Sequence, residues 1–294
     1  MARPKTKFNK VETPEVKSDR GTIPSAVTLG EDVVPVNIFS DTVVEKEAVV
    51  PEAEVTEEMK AEQPINTPET AVPVVETVAE APKKSFKERM EECSNFFNQA
   101  HFDKVAKSGC DYKSFGDWQK AYCALLDRVF GLRNKEVLDV GSAYGALGNG
   151  FKQLGAKKVT CVDISKQVVA AKVFDSLTYV LAPVQMMKAI TSAMIDFVHA
   201  SYVLNSVEAE DLEMTFAELK RVLAPNGKIF IIMNFGRDNK VGDYDFRHSK
   251  ETIVKAAEKA GLKEVSDVVN MLRKVDDGRY EFISNYNWGI VCFE

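Results

Sequence analysis

Residues 139–148 read Asp-Val-Gly-Ser-Ala-Tyr-Gly-Ala-Leu-Gly. The small residues Gly141, Ala143 and Gly145, with Ser142 between them, allow a tight turn that a ligand can approach at a helix N-terminus. Asp163 follows Gly145 by 18 residues, the kind of spacing at which an acid after a second strand takes the two hydroxyls of a ribose. A glycine loop alone is weak evidence. Loop and acid together, inside one βαβ unit, point to a bound nucleoside.

Asp139 selects among nucleosides. Its carboxylate is a poor neighbour for a pyrophosphate of like sign and a good one for a ligand carrying an ammonium and a sulfonium. The residues therefore favour S-adenosylmethionine over NAD. A short-chain reductase is the rival, since Gly141, Gly145 and Gly148 also fit GxxxGxxG. That chemistry needs a Tyr-x-x-x-Lys pair, and no tyrosine in residues 84–294 has lysine four positions on.

The elements around these residues alternate in type. Ser85, with Glu88 at capping-box spacing, opens an amphipathic helix over 85–100. A second helix spans 115–131, with Asp117 as candidate cap and Gly131 at its end. Glu136–Val140 is a short apolar run suited to a buried parallel strand. There follow a helix at 146–154, a strand at Lys158–Val162, a helix at 165–175 and a weaker strand at Leu177–Ala182. A strand at Ile195–Ala200 leads to a helix over 208–223, stopped by Pro225-Asn226-Gly227. Then come a strand at Lys228–Asn234 and a helix at 249–260 ending at Gly261. Two last strands, near 264–275 and 280–293, meet at Asp276-Asp277-Gly278 with too few residues for a crossover, so they must be antiparallel. This is the pattern of a doubly wound α/β sheet, whose ligand lies beyond the carboxyl ends of strands one and four.

Composition divides the 294 residues in two. Nine of the 11 prolines precede residue 84, in a stretch with no Trp, Tyr or Cys and a single Leu. Such a segment cannot bury enough apolar surface to offset an ordering cost of about 1–2 kcal/mol per residue. Residues 1–83 are expected to be a disordered, acidic, Pro-rich tail. They carry 9 basic and 16 acidic residues, leaving 29 and 28 for residues 84–294. A near-neutral domain gives no strong nucleic-acid signal, and the tail is the natural site for a protein partner. No apolar run reaches the roughly 18 residues of a membrane span, and the first residues lack a secretory apolar core. Five cysteines without a CxxC pair suggest neither a disulfide framework nor zinc. The expectation is a cytoplasmic protein with no metal and no membrane contact.

Residues 130–294 resemble the class I S-adenosylmethionine-dependent methyltransferases. EVLDVGSAYG at 136–145 is similar to their first motif and VTCVDIS at 159–165 to their second. IDFVHASYVLNSV at 195–207 looks like the fourth-strand motif, and ELKRVLAPNGKIFI at 218–231 like the helix, turn and fifth strand after it. HSKETIVKAAEKAGL at 248–262 resembles the helix before the final hairpin. The resemblance implies a doubly wound, seven-stranded, mainly parallel Rossmann-like sheet with an antiparallel last strand over 131–294, behind an N-terminal helical cap at 84–130. It implies that Asp139 and the Gly141 backbone face the methionine part of the cofactor, within a loop completed by Ser142, Ala143 and Gly145. Asp163 would hold the ribose, Ile164 would pack on the adenine, and Ala200 and Ser201 would line the floor. Three positions depart from the family pattern. Ala143 replaces the middle glycine, Gln185 stands where many members carry an acid for the adenine amino group, and Asn205-Ser206 replaces a common Glu-His pair. No general base carries over to that last position.

Methyl transfer from a sulfonium is an in-line displacement for which the cofactor supplies the activated group. The protein must align nucleophile, methyl and sulfur in a dry pocket, and needs a base only where the acceptor loses a proton. His199 reads as a packed core residue and His101 shows no clear pattern. His248, after the polar loop 235–247, is either a base or substrate contact, or the start of the next helix. Asp243, Tyr244 and Asp245 share that loop. Tyr144 projects from the glycine loop as a cofactor cover or acid/base, and Trp118 and Tyr122, one helical turn apart, are core or lid. The sequence thus leads to methyl transfer onto an O or N atom of a small-molecule acceptor, with His248 and Tyr144 as catalytic candidates. The alternative is an inactive binding protein of the same fold that works through its tail.

Overall fold

The computed structural model describes residues 84–107, 112–113, 116–275 and 289–294. The tail reading for residues 1–83 and the turn at 276–278 fall outside these residues. Strands β1 (Glu136–Val140), β2 (Lys158–Asp163), β3 (Thr178–Leu181), β4 (Ile195–Ser201) and β5 (Leu223–Met233) run parallel in the order β3-β2-β1-β4-β5. A final described strand, Gly289–Phe293, pairs antiparallel with β5 at the sheet's edge. Among the described residues the sheet therefore has six strands. Its order reverses between β1 and β4, and that is where such sheets hold ligands.

Side chains on successive strand residues point to opposite faces, so each strand serves two layers. Leu138, Val198 and Ile231 meet Phe216 and Leu219 of a helix at Leu212–Val222 and Ile253 of a helix at Lys250–Lys259. Val137, Phe197 and Phe230 meet the other layer, made of helices at Asp117–Phe130, Ala146–Gln153 and Val268–Val275. Leu126, Phe151, Phe197 and Phe230 there are at most 1% exposed, and burying each is worth about 1.5–3 kcal/mol. That apolar burial holds the Asp117–Phe130 helix to the sheet. In chain order these helices are numbered after α1 (Phe86–Phe96) and α2 (Gln99–Lys107) as α3 (Asp117–Phe130), α4 (Ala146–Gln153), α5 (Lys166–Ala171), α6 (Leu212–Val222), α7 (Lys250–Lys259) and α8 (Val268–Val275).

Several expectations change at this level. The Ser85–Glu88 capping box is present, with Glu88 N–H donating to Ser85 Oγ at 3.3 Å and Ser85 N–H to Glu88 Oε2 at 2.8 Å. The helix it opens stops at Phe96, because Asn98 accepts the His101 N–H at 3.2 Å and starts a separate helix. Asp117 begins α3 as its first helical residue, after a Gly116 cap. The strand expected at 264–275 is a single bridge, Glu264 to Phe293, followed by helix α8. Val268 and Leu272, four residues apart, are both buried against the α3 layer, and that helical spacing overrides the β-branched composition. The polar loop 235–247 contains a small antiparallel hairpin, Asn239–Gly242 with Asp245–Arg247. These two strands are β6 and β7, which makes Gly289–Phe293 β8.

Candidate functional site

The glycine loop is held by the acid expected beside it. Asp163, at the tip of β2, accepts the Ala143 N–H through Oδ2 at 2.9 Å and the Ser165 N–H through Oδ1 at 2.8 Å. Ser142 N–H donates to Val162 C=O at 3.2 Å and Gly145 N–H to Ser142 C=O at 2.9 Å. Gly141 sits at φ 62°, where a side chain would collide with Val203 at 2.7 Å, so only glycine fits that corner. Ala143 holds φ 47°, a left-handed conformation costing on the order of 1 kcal/mol for a residue with a Cβ. The bond to Asp163 offsets that strain and sets the loop before any ligand arrives. Asp163 is 8% exposed, and burial pushes its carboxyl up to about 6 despite the opposing backbone N–H groups.

Asp139 takes a different position from the one expected. It is turned into the layer between the sheet and helices α3 and α4, and is 2% exposed. Asp139 and His199 are lateral partners in the β1–β4 ladder, and His199 Nδ1–H donates to Asp139 Oδ1 at 2.7 Å. His199 Nε2 in turn accepts from the Tyr122 hydroxyl of α3 at 2.8 Å. Burial raises the Tyr122 phenol well above its ordinary value, which keeps it the donor. The other carboxylate oxygen, Oδ2, is buried with no hydrogen-bond partner among the described residues. Asp139 is thus the buried end of a Tyr122–His199–Asp139 chain beneath the loop, and not a group on its rim. His199 is the packed core residue that its apolar run implied. Tyr122 belongs to the core, and Trp118 stacks on it at 5.6 Å.

Helix α1 lies across the carboxyl ends of the strands. Ser94 Oγ donates to Ile164 C=O at 2.8 Å, just past β2. Arg89, on the same helix, donates to Asp211 Oδ1 at 2.7 Å in the 3-10 turn Ala209–Asp211 that follows β4. Cys93 is buried between them, and burial, reinforced by the charges of Asp163 and Glu208, pushes its thiol up to about 12. This helix therefore roofs the crevice between the tips of β2 and β4. Residues 138–231 match a family described as a methyltransferase domain. This stretch, from β1 to β5, thus carries a methyltransferase domain.

No curated protein matches the sequence. Solved structures similar to this chain include a Leishmania major S-adenosylmethionine-dependent methyltransferase, 13% identical, with 70% of this chain and 80% of that one covered at TM-score 0.49. Another is a Mesorhizobium loti S-adenosylmethionine-dependent methyltransferase, 14% identical, with coverages of 59% and 97% and TM-score 0.45. A third is Haemonchus contortus phosphoethanolamine N-methyltransferase 2, solved with phosphomonomethylethanolamine and S-adenosylhomocysteine. It is 18% identical, with coverages of 61% and 53% and TM-score 0.44.

The residues around the methyltransferase loop fit a nucleoside cofactor. Each Asp163 oxygen has a lone pair left for a ribose hydroxyl after its backbone bond. The Tyr144 hydroxyl is buried with no hydrogen-bond partner among the described residues, while its ring packs edge-on against Phe102 of α2 at 5.4 Å. Ile164 is half-buried beside Asp163 under α1. Ala200 lies beside Val140 in the ladder, and Ser201 follows it at the end of β4. Gln185 is buried in the segment after β3.

Two positions read differently from expectation. His248 is 2% exposed, and its Nε2–H donates to Val207 C=O at 2.8 Å. A buried imidazole bonded to a backbone carbonyl braces the loops after β4 and β5, and is not placed to take a proton from an acceptor. Asn205, in the turn after β4, donates Nδ2–H to Asn234 C=O at 2.9 Å and to Phe246 C=O at 2.8 Å, and accepts Asn234 N–H at 2.9 Å. This side chain ties the end of β5 to the β6–β7 hairpin. An amide does so because it offers donors and an acceptor together.

Proposed function

We propose that this methyltransferase transfers a methyl group to an O or N atom of a small-molecule acceptor, with the cofactor held on the 141–145 loop. The cofactor supplies the activated methyl group as a sulfonium. The backbone of Gly141, Ser142, Ala143 and Gly145 would receive it, Asp163 and Ile164 its ribose and adenine, Gln185 the adenine edge, and Ala200 and Ser201 its floor. Asp139 would act through the backbone it underlies. Tyr144 would cover the cofactor, offering its free hydroxyl as a hydrogen-bond donor. The observation that carries the reading is the Asp163 carboxylate, which braces the strained loop through Oδ2 and the Ser165 backbone through Oδ1 and keeps a lone pair of each oxygen free. A small acceptor is favoured by the roof that α1 forms over the carboxyl ends of the strands.

The test is calorimetry with S-adenosylhomocysteine and NADH. S-adenosylhomocysteine should bind and NADH should not, and Asp163→Ala should abolish detectable binding while the thermal transition remains cooperative. Unchanged affinity in that variant would remove the ribose assignment. A cell extract supplied with a labelled methyl donor, analysed by mass spectrometry, then identifies the acceptor.

A further inference from the structure

The acid proposed to take the ribose lies under a cover. Asp163 is 8% exposed, and the two N-terminal helices are tied to its surroundings from both sides. From α1, Ser94 is bonded to the C=O of Ile164, the residue after Asp163, and Cys93 is buried near enough to Asp163 for that charge to bear on its thiol. From α2, Gln99 accepts from Gln167 at the start of α5, and Phe102 packs on Tyr144 of the cofactor loop at 5.4 Å. A ligand arriving at the carboxyl ends of the strands meets these helices first.

The cover is held less firmly than the layers beneath it. Helix α1 buries one of its 11 residues, Cys93, and α2 one of its 9, Phe102, where α3 buries five of 14. Half-buried Phe96 and Phe97 add ring contacts to Tyr244 of the β6–β7 hairpin at 5.0 and 6.2 Å. The other ties of α1 are polar: Ser94 to Ile164, and Arg89 to Asp211 at 2.7 Å and Glu210 at 2.8 Å. Polar groups that part exchange protein partners for water, so the net cost of releasing them is small. Freeing α3 would instead expose Leu125 and Leu126. A segment with few buried apolar contacts opens locally while the rest of the fold stays intact.

We propose that α1 and α2 form a gate that lifts from Asp163 to admit the cofactor and closes over it, with Arg89 as the latch on the turn after β4; the inference rests on the function proposed above. Closure shields the reacting groups from water. The latch engages Asp211 and Glu210 whether or not the cofactor lies beneath, so weakening it eases opening of the free and the bound protein alike. Entry and release then quicken together while affinity holds.

Cys93 reports the opening, because α1 buries it apart from the sheet layers. Full-length protein is treated with iodoacetamide under native conditions, and labelling at each cysteine is followed by peptide mass spectrometry. Cys93 is expected to react at least about tenfold faster than Cys123, Cys161 and Cys292, which are at most 1% exposed in the core. S-adenosylhomocysteine at about ten times its Kd is expected to slow Cys93 about tenfold. Arg89→Met should speed it about tenfold in the free protein, and Ser94→Ala, which removes one neutral hydrogen bond, about fivefold. Calorimetry should find the affinity of Arg89→Met for S-adenosylhomocysteine within about twofold of the unaltered protein's. Cys93 reacting no faster than the three core cysteines, faster labelling with S-adenosylhomocysteine bound, or both variants leaving the rate unchanged overturns the proposal. If S-adenosylhomocysteine does not bind in the calorimeter, the proposed function falls and takes this inference with it. If it binds and leaves Cys93 unprotected, this inference alone falls.

Discussion

At the scale of single residues, two buried carboxylates under one loop have opposite environments. Among the described residues, Asp139 is paired with a histidine, and Asp163 is bonded to backbone N–H groups. For Asp163 the sign follows from a native pKa of about 6 against an ordinary 3.8. The folded state holds the proton more tightly, so Asp163's contribution to stability is fully present below pH 3.8 and is lost as pH rises through 6. Asp163→Asn is expected to flatten that decline in urea midpoints measured from pH 4 to 7. Cofactor affinity should run the other way, strengthening as pH climbs through 6, because only the ionised carboxylate accepts from both ribose hydroxyls. Titrations of S-adenosylhomocysteine across that range check it. His199→Leu leaves the Asp139 carboxylate buried without its partner, a change expected to lower stability by about 3–5 kcal/mol. Adding Asp139→Asn should recover part of the loss, and chemical denaturation of both variants measures it.

At the scale of elements, the hairpin β6–β7 and the end of β5 depend on one amide. Asn205→Ala deletes three hydrogen bonds to backbone groups, each worth about 1 kcal/mol net and more where a buried group is left unpaired. The variant is expected to cleave faster in residues 235–248 under limited proteolysis, with S-adenosylhomocysteine affinity unchanged, since the loop at 141–145 makes none of these bonds. If the cofactor affinity falls instead, the hairpin and the cofactor loop are coupled. Helix α1 has a comparable role at the other end of the site. Its capping box starts it, Arg89 anchors it to the turn after β4, and Ser94 anchors it to the residue after β2.

At the scale of the whole molecule, the parallel sheet brings distant segments to one edge. Loops after β1, β2, β4 and β5 converge where the strand order reverses, and α1, from before the sheet in sequence, covers them. No helix among the described residues is long and apolar enough to cross a membrane. Charge is unevenly distributed along the chain, with the acidic excess in residues 1–83. The 84–294 portion is nearly neutral, with 29 basic and 28 acidic residues.

Alternating apolar runs and helical periods made the βα order readable from the chain alone, because strand and helix burial repeat every 2 and about 3.6 residues. The loop at 139–148 and Asp163 were readable for a similar reason, since tight turns and ribose binding demand particular residue types at short range. Three features were decided only in three dimensions. Asp139 and His199 are 60 residues apart and meet because β1 and β4 are neighbours, so the charge that seemed aimed at a ligand is directed into the core. His248 looked available in a polar stretch, and packing buried it against Val207. Asn205 holds Asn234 and Phe246, 29 and 41 residues further along the chain, a junction that no local pattern announces. Such groups acquire their chemistry from neighbours supplied by other strands, and short-range spacing carries no record of them.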